Sequence, residues 1–160
     1  MYLTRTHHYL DIENLCGTAD LYPDLITSTF LDYLHVTQAA STDLFTVTAS
    51  HHNYETVAFS LRALRSLHLP PPRSGPDGAD LALIDEIAAT PLRAGIDRIC
   101  IGSGDHIFAF PLTRLGRLGV HATVVSRWDS CSRHVTRAAD RVLYLSHPTT
   151  NHHALDQEIA

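Results

Sequence analysis

The chain contains no lysine; all twelve of its basic residues are arginine. That absence removes lysine Schiff-base chemistry and the lysine of a Walker-type phosphate loop. Long apolar runs are missing as well. None approaches the roughly 18 residues needed to cross a bilayer, and Met1 to His8 lacks the apolar core of a secretory signal. A soluble, cytoplasmic chain with no membrane partner is expected. Cysteine is scarce: Cys16, Cys100 and Cys131 lie far apart and never form Cys-x-x-Cys, so free, mostly buried thiols are expected rather than disulfides or structural zinc. Surplus positive charge is also lacking. A formal charge of -5 argues against nonspecific coating of nucleic acid, which depends on neutralising many phosphates.

What remains is 160 residues of 44% hydrophobic composition, enough for one continuous core. One domain is expected over residues 1–146, followed by a polar tail at 147–160. Charge is unevenly spread. From Met1 to Leu61 the only arginine is Arg5, against seven acids, whereas Arg93 to Arg141 holds eight arginines against four acids. An acidic site beside an arginine-bearing face suits a bound phosphodiester. Ordinary scatter on a solvated surface would give the same counts.

Along the chain, Tyr9 to Ile12 reads as a first strand and Leu21 to Val36 as a helix carrying Leu25, Ile26, Leu31 and Leu34 on its apolar face. Phe45 to Thr48 is a second strand, and Tyr54 to Leu67 a second helix. The proline- and glycine-rich stretch from Leu69 to Gly78 is a loop, with room for a short edge strand near Leu67 to Leu69. A helix is expected from Asp80 to Ala88 and a strand from Arg98 to Ile101. The latter stops at Gly102-Ser103-Gly104-Asp105, with a helix then running to about Leu118. His121 to Val125, Ser132 to Ala139 and Arg141 to Leu145 complete the pattern as strand, helix and strand.

Such alternation implies right-handed βαβ units, hence a three-layer, Rossmann-like α/β fold with a mostly parallel central sheet. In these sheets ligands sit beyond the carboxyl ends of the strands, where the strand order reverses. With an order of about 3-2-1-4-5, Asp11 at the end of the first strand and Asp105 beyond the fourth face one crevice. Asp80, after the loop, can supply a third carboxylate. Two ionised carboxylates about 5 Å apart repel by roughly 3 kcal/mol at an effective dielectric near 20, so such a site calls for a cation or a shared proton. Magnesium or manganese fits, because hard ions take carboxylate oxygens and water and leave room for a phosphate. Each acid also has a plainer use: Asp80 as a helix N-cap, Asp105 as a turn residue, and Asp11 as a strand end in an Asx turn with Asn14.

Three blocks carry a resemblance. Leu10-Asp11-Ile12-Glu13-Asn14-Leu15, Gly78-Ala79-Asp80-Leu81-Ala82-Leu83-Ile84, and Ile101-Gly102-Ser103-Gly104-Asp105 through Phe108 with Pro111-Leu112 look like those of NYN domains, which are PIN-like ribonucleases. The resemblance continues through Gly119 to Ser126 and covers about residues 8 to 146. It implies a PIN/NYN fold, with Asp11, Asp80 and Asp105 as catalytic metal ligands for Mg2+ or Mn2+. It further implies that Asn14 and Ser103 orient the ligands or the substrate. Arg73, Ser126 and Arg127 are grouped with them as substrate-binding or supporting residues. The implied activity is divalent-metal-dependent hydrolysis of RNA phosphodiester bonds, with RNA as partner. One departure favours an alternative, a catalytically inactive RNA-binding or protein-interaction module: many members carry a second acid two residues after the one matching Asp105, and here that position is Ile107. Glu13, Asp85 and Glu86 are the nearest acids that could replace it, each expected instead at the surface or behind the ligands. Pairing of two copies as a homodimer is left open.

Two other features have competing uses. Adjacent histidines such as His7-His8 in a strand point to opposite faces, which disfavours a shared ion. Trp128, in Arg127-Trp128-Asp129, suits either a base-stacking surface or the packed interior.

Overall fold

The structure, a computed structural model, describes residues 5–64, 66–89 and 96–146, apart from the side chain of Asp97. The expected tail at 147–160 lies outside them. Six parallel strands form one sheet: β1 (Arg5–Asp11), β2 (Leu44–Thr48), β3 (Leu67–His68), β4 (Ile96–Gly102), β5 (His121–Ser126) and β6 (Arg141–Tyr144). Their order is β3-β2-β1-β4-β5-β6, which bears out the expected order and places the last strand beyond β5. The helices are α1 (Ile12–Cys16), α2 (Pro23–Thr37), α3 (Tyr54–Ser60), α4 (Gly78–Ala88), α5 (Ala109–Arg117) and α6 (Arg133–Ala138).

Strands buried on both faces read as nearly unbroken apolar runs, and here neighbouring residues feed two separate cores. Leu10 joins Ile26, Phe30, Phe45, Val47 and Val57 beneath α1, α2 and α3. Tyr9 joins Leu83, Ile101, Leu112, Val124 and Val135 beneath α4, α5 and α6. The chain winds outward from β1 to β3 on one face, then crosses to β4 and winds outward again on the other. Strand order therefore reverses between β1 and β4, where Leu10 pairs with Gly102. A crevice opens beyond that pair.

Three elements differ from the sequence expectations. The first strand ends at Asp11, and Ile12 opens a short helix, because the Asp11 carboxylate caps α1 and Gly17, at φ 73°, ends it in the left-handed region. The helix expected through Leu67 stops at Ser60; tight turns at Leu61 and Leu64 bring the chain round so that Leu67 pairs with Phe45. A 3-10 turn at His106–Phe108 separates the Asp105 turn from α5, and Pro111 stands in the first turn of that helix, where proline is tolerated.

His7 and His8 do face opposite ways. His7 is hydrogen-bonded to Thr46 at 2.8 Å and stacked on Tyr9, while His8 is hydrogen-bonded to Tyr33 at 3.0 Å and to Asp43 at 3.3 Å and stacked on Phe45. Asp43 also accepts from the Thr6 and Ala40 amides, which joins the start of β1 to the turn before β2. Cys16 and Cys100 are buried, and burial pushes their thiols up to about 11 and about 12, as expected of inert core cysteines.

Burial lowers the pKa of His8 against the opposing pull of Asp43. The folded protein thus keeps His8 neutral where the unfolded chain binds a proton, and stability is lost as pH falls below the unfolded value of 6.5. The protein should therefore be less stable at pH 5.5 than at pH 7.5, with His8 contributing to the difference. In denaturant titrations, His8→Gln should remove that part of the pH dependence. An unchanged slope would contradict it.

Candidate functional site

Asp11 is only 7% exposed, at the end of a strand with a neighbour on each side. Its Oδ1 accepts the Asn14 amide at 3.1 Å, so the expected Asx-type turn is present. Asn14 in turn reaches across the sheet's reversal point: its Oδ1 accepts the Gly104 amide at 3.1 Å. The asparagine thereby fixes the loop after β4 against the helix after β1.

Asp80 arrives from the opposite side of the crevice. The loop before it ends at Asp77, whose φ of 56° is left-handed, and at Gly78, where an added Cβ would stand 2.3 Å from the Arg73 carbonyl oxygen. That close approach requires glycine, and it turns the start of α4 toward β1. The N-cap position belongs to Asp77, so Asp80 is a first-turn residue rather than the cap. Its carboxyl group meets that of Asp11 within hydrogen-bonding range. Burial, then the Asp80 charge, holds Asp11 well above the ordinary carboxylate range. Burial also raises Asp80, with the charge of Asp105 adding to the shift. Burial and mutual repulsion thus raise the affinity of both acids for a proton, more so at the more buried Asp11. Asp80 Oδ1 is buried and has no hydrogen-bond partner among the described residues.

The pair opens into a cleft of about 290 Å³, whose lining includes Glu13, Asn14, Arg73 and Asp77 as well as Asp11 and Asp80. Asp105 is not part of that lining. It caps the 3-10 turn, its Oδ1 accepting the Ile107 amide at 3.0 Å and pairing with His106 at 2.8 Å. The Ser103 hydroxyl, fully buried, accepts the Asp105 amide at 3.3 Å and so supports the turn. Among the described residues, no three His, Cys, Asp or Glu side chains form a ready-made metal cage. Two carboxylates do meet, which is the number Mg2+ commonly takes while keeping several waters. The orphaned Asp80 oxygen fits such an ion.

The remaining expected residues divide. Arg73 lines the cleft, ion-paired with the exposed Asp85. Ser126 lies behind the β4 loop, its Oγ 2.3 Å from where a Cβ on Gly104 would sit. The Arg127 guanidinium lies against Gly17 and pairs with Asp129 at 3.2 Å, which ties the loop after β5 to the end of α1. Of the substitute acids, Asp85 and Glu86 turn away to Arg73 and His68, whereas Glu13 faces the cleft. Glu13 is gripped by the Ser50 amide and hydroxyl and by Asn53. Ser50 and Asn53 were not legible in advance, since their partner is 37 or more positions away.

A parallel sheet in this order, with acids gathered where the order reverses, defines a PIN-like α/β protein. The NYN domain family model matches residues 2–146, and the chain belongs to that family, which includes nucleases of the PIN-like superfamily. Among solved structures, a protein of unknown function from Vibrio parahaemolyticus is similar, with a TM-score of 0.60 and 18% identity over 90% of this chain and 94% of that one. At that identity the likeness is one of fold. A search of curated proteins found no match.

A carboxyl raised by folding adds stability below its unfolded pKa and loses it as pH rises through the folded one. At neutral pH without metal, the acid pair is therefore a burden. Asp11→Asn should raise the Tm in EDTA, by about 2 to 4 °C per kcal/mol relieved. It should also lose the Tm increase that Mn2+ gives the wild type. A variant less stable than wild type in EDTA would contradict this.

Proposed function

We propose that this protein is a divalent-metal-dependent ribonuclease that hydrolyses RNA phosphodiester bonds. The observation that carries the proposal is the meeting of the buried Asp11 with the half-buried Asp80, one of whose oxygens is buried and unpartnered among the described residues. Such an arrangement costs stability, and a divalent cation would relieve that cost. Asp11 and Asp80 would hold Mg2+ or Mn2+, and the bound ion supplies Lewis acidity and an activated water.

The chain's own residues do the rest. Asn14 ties the loop that bears Asp105 to the helix that follows Asp11. With Asp105 Oδ1 engaged by His106 and the Ile107 amide, its Oδ2 would accept a proton from an attacking water. Arg73, at the cleft edge, offers a cation to a phosphate oxygen. Glu13, locked by Ser50 and Asn53, sets the polar wall opposite α4.

A second reading is favoured by Ile107. Its side chain packs against the second core, at the position where many relatives carry an acid. On that reading the fold binds RNA or a protein, a second copy included, without turnover.

Purified protein should cleave RNA in Mg2+ or Mn2+ but not in EDTA. Asp11→Asn and Asp80→Asn should each lower the single-turnover rate by at least about a hundredfold, with the fold retained by circular dichroism. Asp105→Asn should cost less, because its carboxylate stands off the pair. Failure of the wild type to cleave RNA with either metal would leave the noncatalytic reading.

A further inference from the structure

A parallel sheet is normally covered on both faces, because side chains point each way from every strand. On the face that carries the first core, α2 reaches as far as β6, and Val125 and Leu143 belong to that core. The helix ends at Thr37, and among the described residues no other helix continues over the amino ends of β4, β5 and β6 on this face. A cavity of about 610 Å³ opens there, at the other end of the strands from the acids.

Strand register sets its lining. Arg98 stands opposite His121, and Thr123 stands opposite both Cys100 and Arg141, so the pleat turns all five toward the cavity. A face left open for a helix or a protein partner would be apolar, whereas this one is polar and bears two guanidinium groups. Arg98 and Arg141 stand two strands and two residues apart, about 12 Å between Cα atoms, so both long side chains can reach one ligand. Neither has an ion-pair or hydrogen-bond partner among the described residues.

The negative groups of the wall, by contrast, are engaged. Asp43 accepts the Thr6 and Ala40 amides and pairs with His8, while Asp140 accepts the Ala122 amide at 2.8 Å and lies 3.9 Å from His121. The carbonyl groups that end α2 are taken as well, Tyr33 by the Thr37 hydroxyl and Leu34 and His35 by the Ala39 and Gln38 amides. The floor is fixed, since His8 is only 2% exposed and is held by Tyr33 and Asp43. What the cavity has left to offer is therefore donors and positive charge. A guanidinium fork takes two oxygens, so two forks with a hydroxyl and an imidazole beside them exceed the two oxygens of a carboxylate and suit the several of a phosphate. The volume also leaves room for an organic body beyond that group.

We propose that this cavity is a binding site for a small phosphate-bearing anion, with Arg98, Arg141, His121 and the Thr123 hydroxyl around the phosphate group. The site is separate from the acidic crevice, and binding there requires neither metal nor turnover.

Isothermal titration of the full chain in EDTA, with AMP and with inorganic phosphate as probes, tests the proposal. EDTA removes any metal that would hold phosphate at the acids, so the outcome is independent of whether RNA is cut. Arg98→Gln and Arg141→Gln alter exposed side chains, and each should weaken binding about tenfold. Arg73→Gln, at the acidic cleft, should leave affinity unchanged. In spectra of the histidine rings, the His121 signals should move on addition of either probe while those of His106, at the acid end, stay in place. Tighter binding of AMP than of phosphate would assign the site to a phosphorylated molecule, and equal affinity to the free anion. Failure of both probes to saturate the protein at millimolar concentration would overturn the proposal. So would unchanged affinity in both Arg98→Gln and Arg141→Gln, or loss of binding in Arg73→Gln.

Discussion

A buried carboxyl group, Asp11, meets a half-buried one, Asp80, and much of the crevice architecture acts to bring that about. Asp11 is brought in by β1, whose neighbours on both sides leave its end no freedom. Asp80 is brought in by a loop that spends a left-handed aspartate and a glycine pressed against a carbonyl to aim α4. A fold selected for stability alone would replace either acid with something neutral. Holding both raises the proton affinity of the pair and leaves an oxygen unsatisfied, a local defect of the kind that accompanies function.

The sheet topology explains why such a defect can be tolerated at this point. Strand order reverses between β1 and β4, so helices leave in opposite directions and a crevice opens between them. Asn14 spans the gap with one hydrogen bond to Gly104, and the loop after β5 closes over Gly104 from behind. Three loops distant in sequence are thus braced as one rim, in which Asp105 and Trp128 occupy fixed places. Glu13 extends the polar wall in the other direction, toward β2, through Ser50 and Asn53.

Much of this was legible in the residues. Alternating strands and helices imply the parallel sheet, and the sheet implies that Asp11 and the Asp105 turn are neighbours. Asp80 was harder to place from pattern alone, because nothing in the proline-rich loop reveals the direction in which the next helix points; its position at a helix start suggested a third carboxylate, and the NYN resemblance added its expected role as a ligand. The start of β1 was hidden by His7 and His8, polar residues that each find a buried partner only after β2 and α2 are in place. The end of α3 was hidden because an apolar face at helical spacing continued past the point where pairing of Leu67 with Phe45 takes over. Glu13 looked like a surface acid for the same reason: its partners belong to another strand's loop. Exposure of Trp128 likewise depends on loop geometry, which composition does not encode.

The central claim is that the Asp11 and Asp80 carboxyls come together to hold a cation. Crystals grown in Mn2+ and measured near the manganese absorption edge test it most directly. An anomalous peak within about 2.0 to 2.3 Å of one oxygen from each aspartate is the expected result. Manganese bound elsewhere, or an acid pair that stays in mutual contact with no peak at saturating metal, would contradict the account.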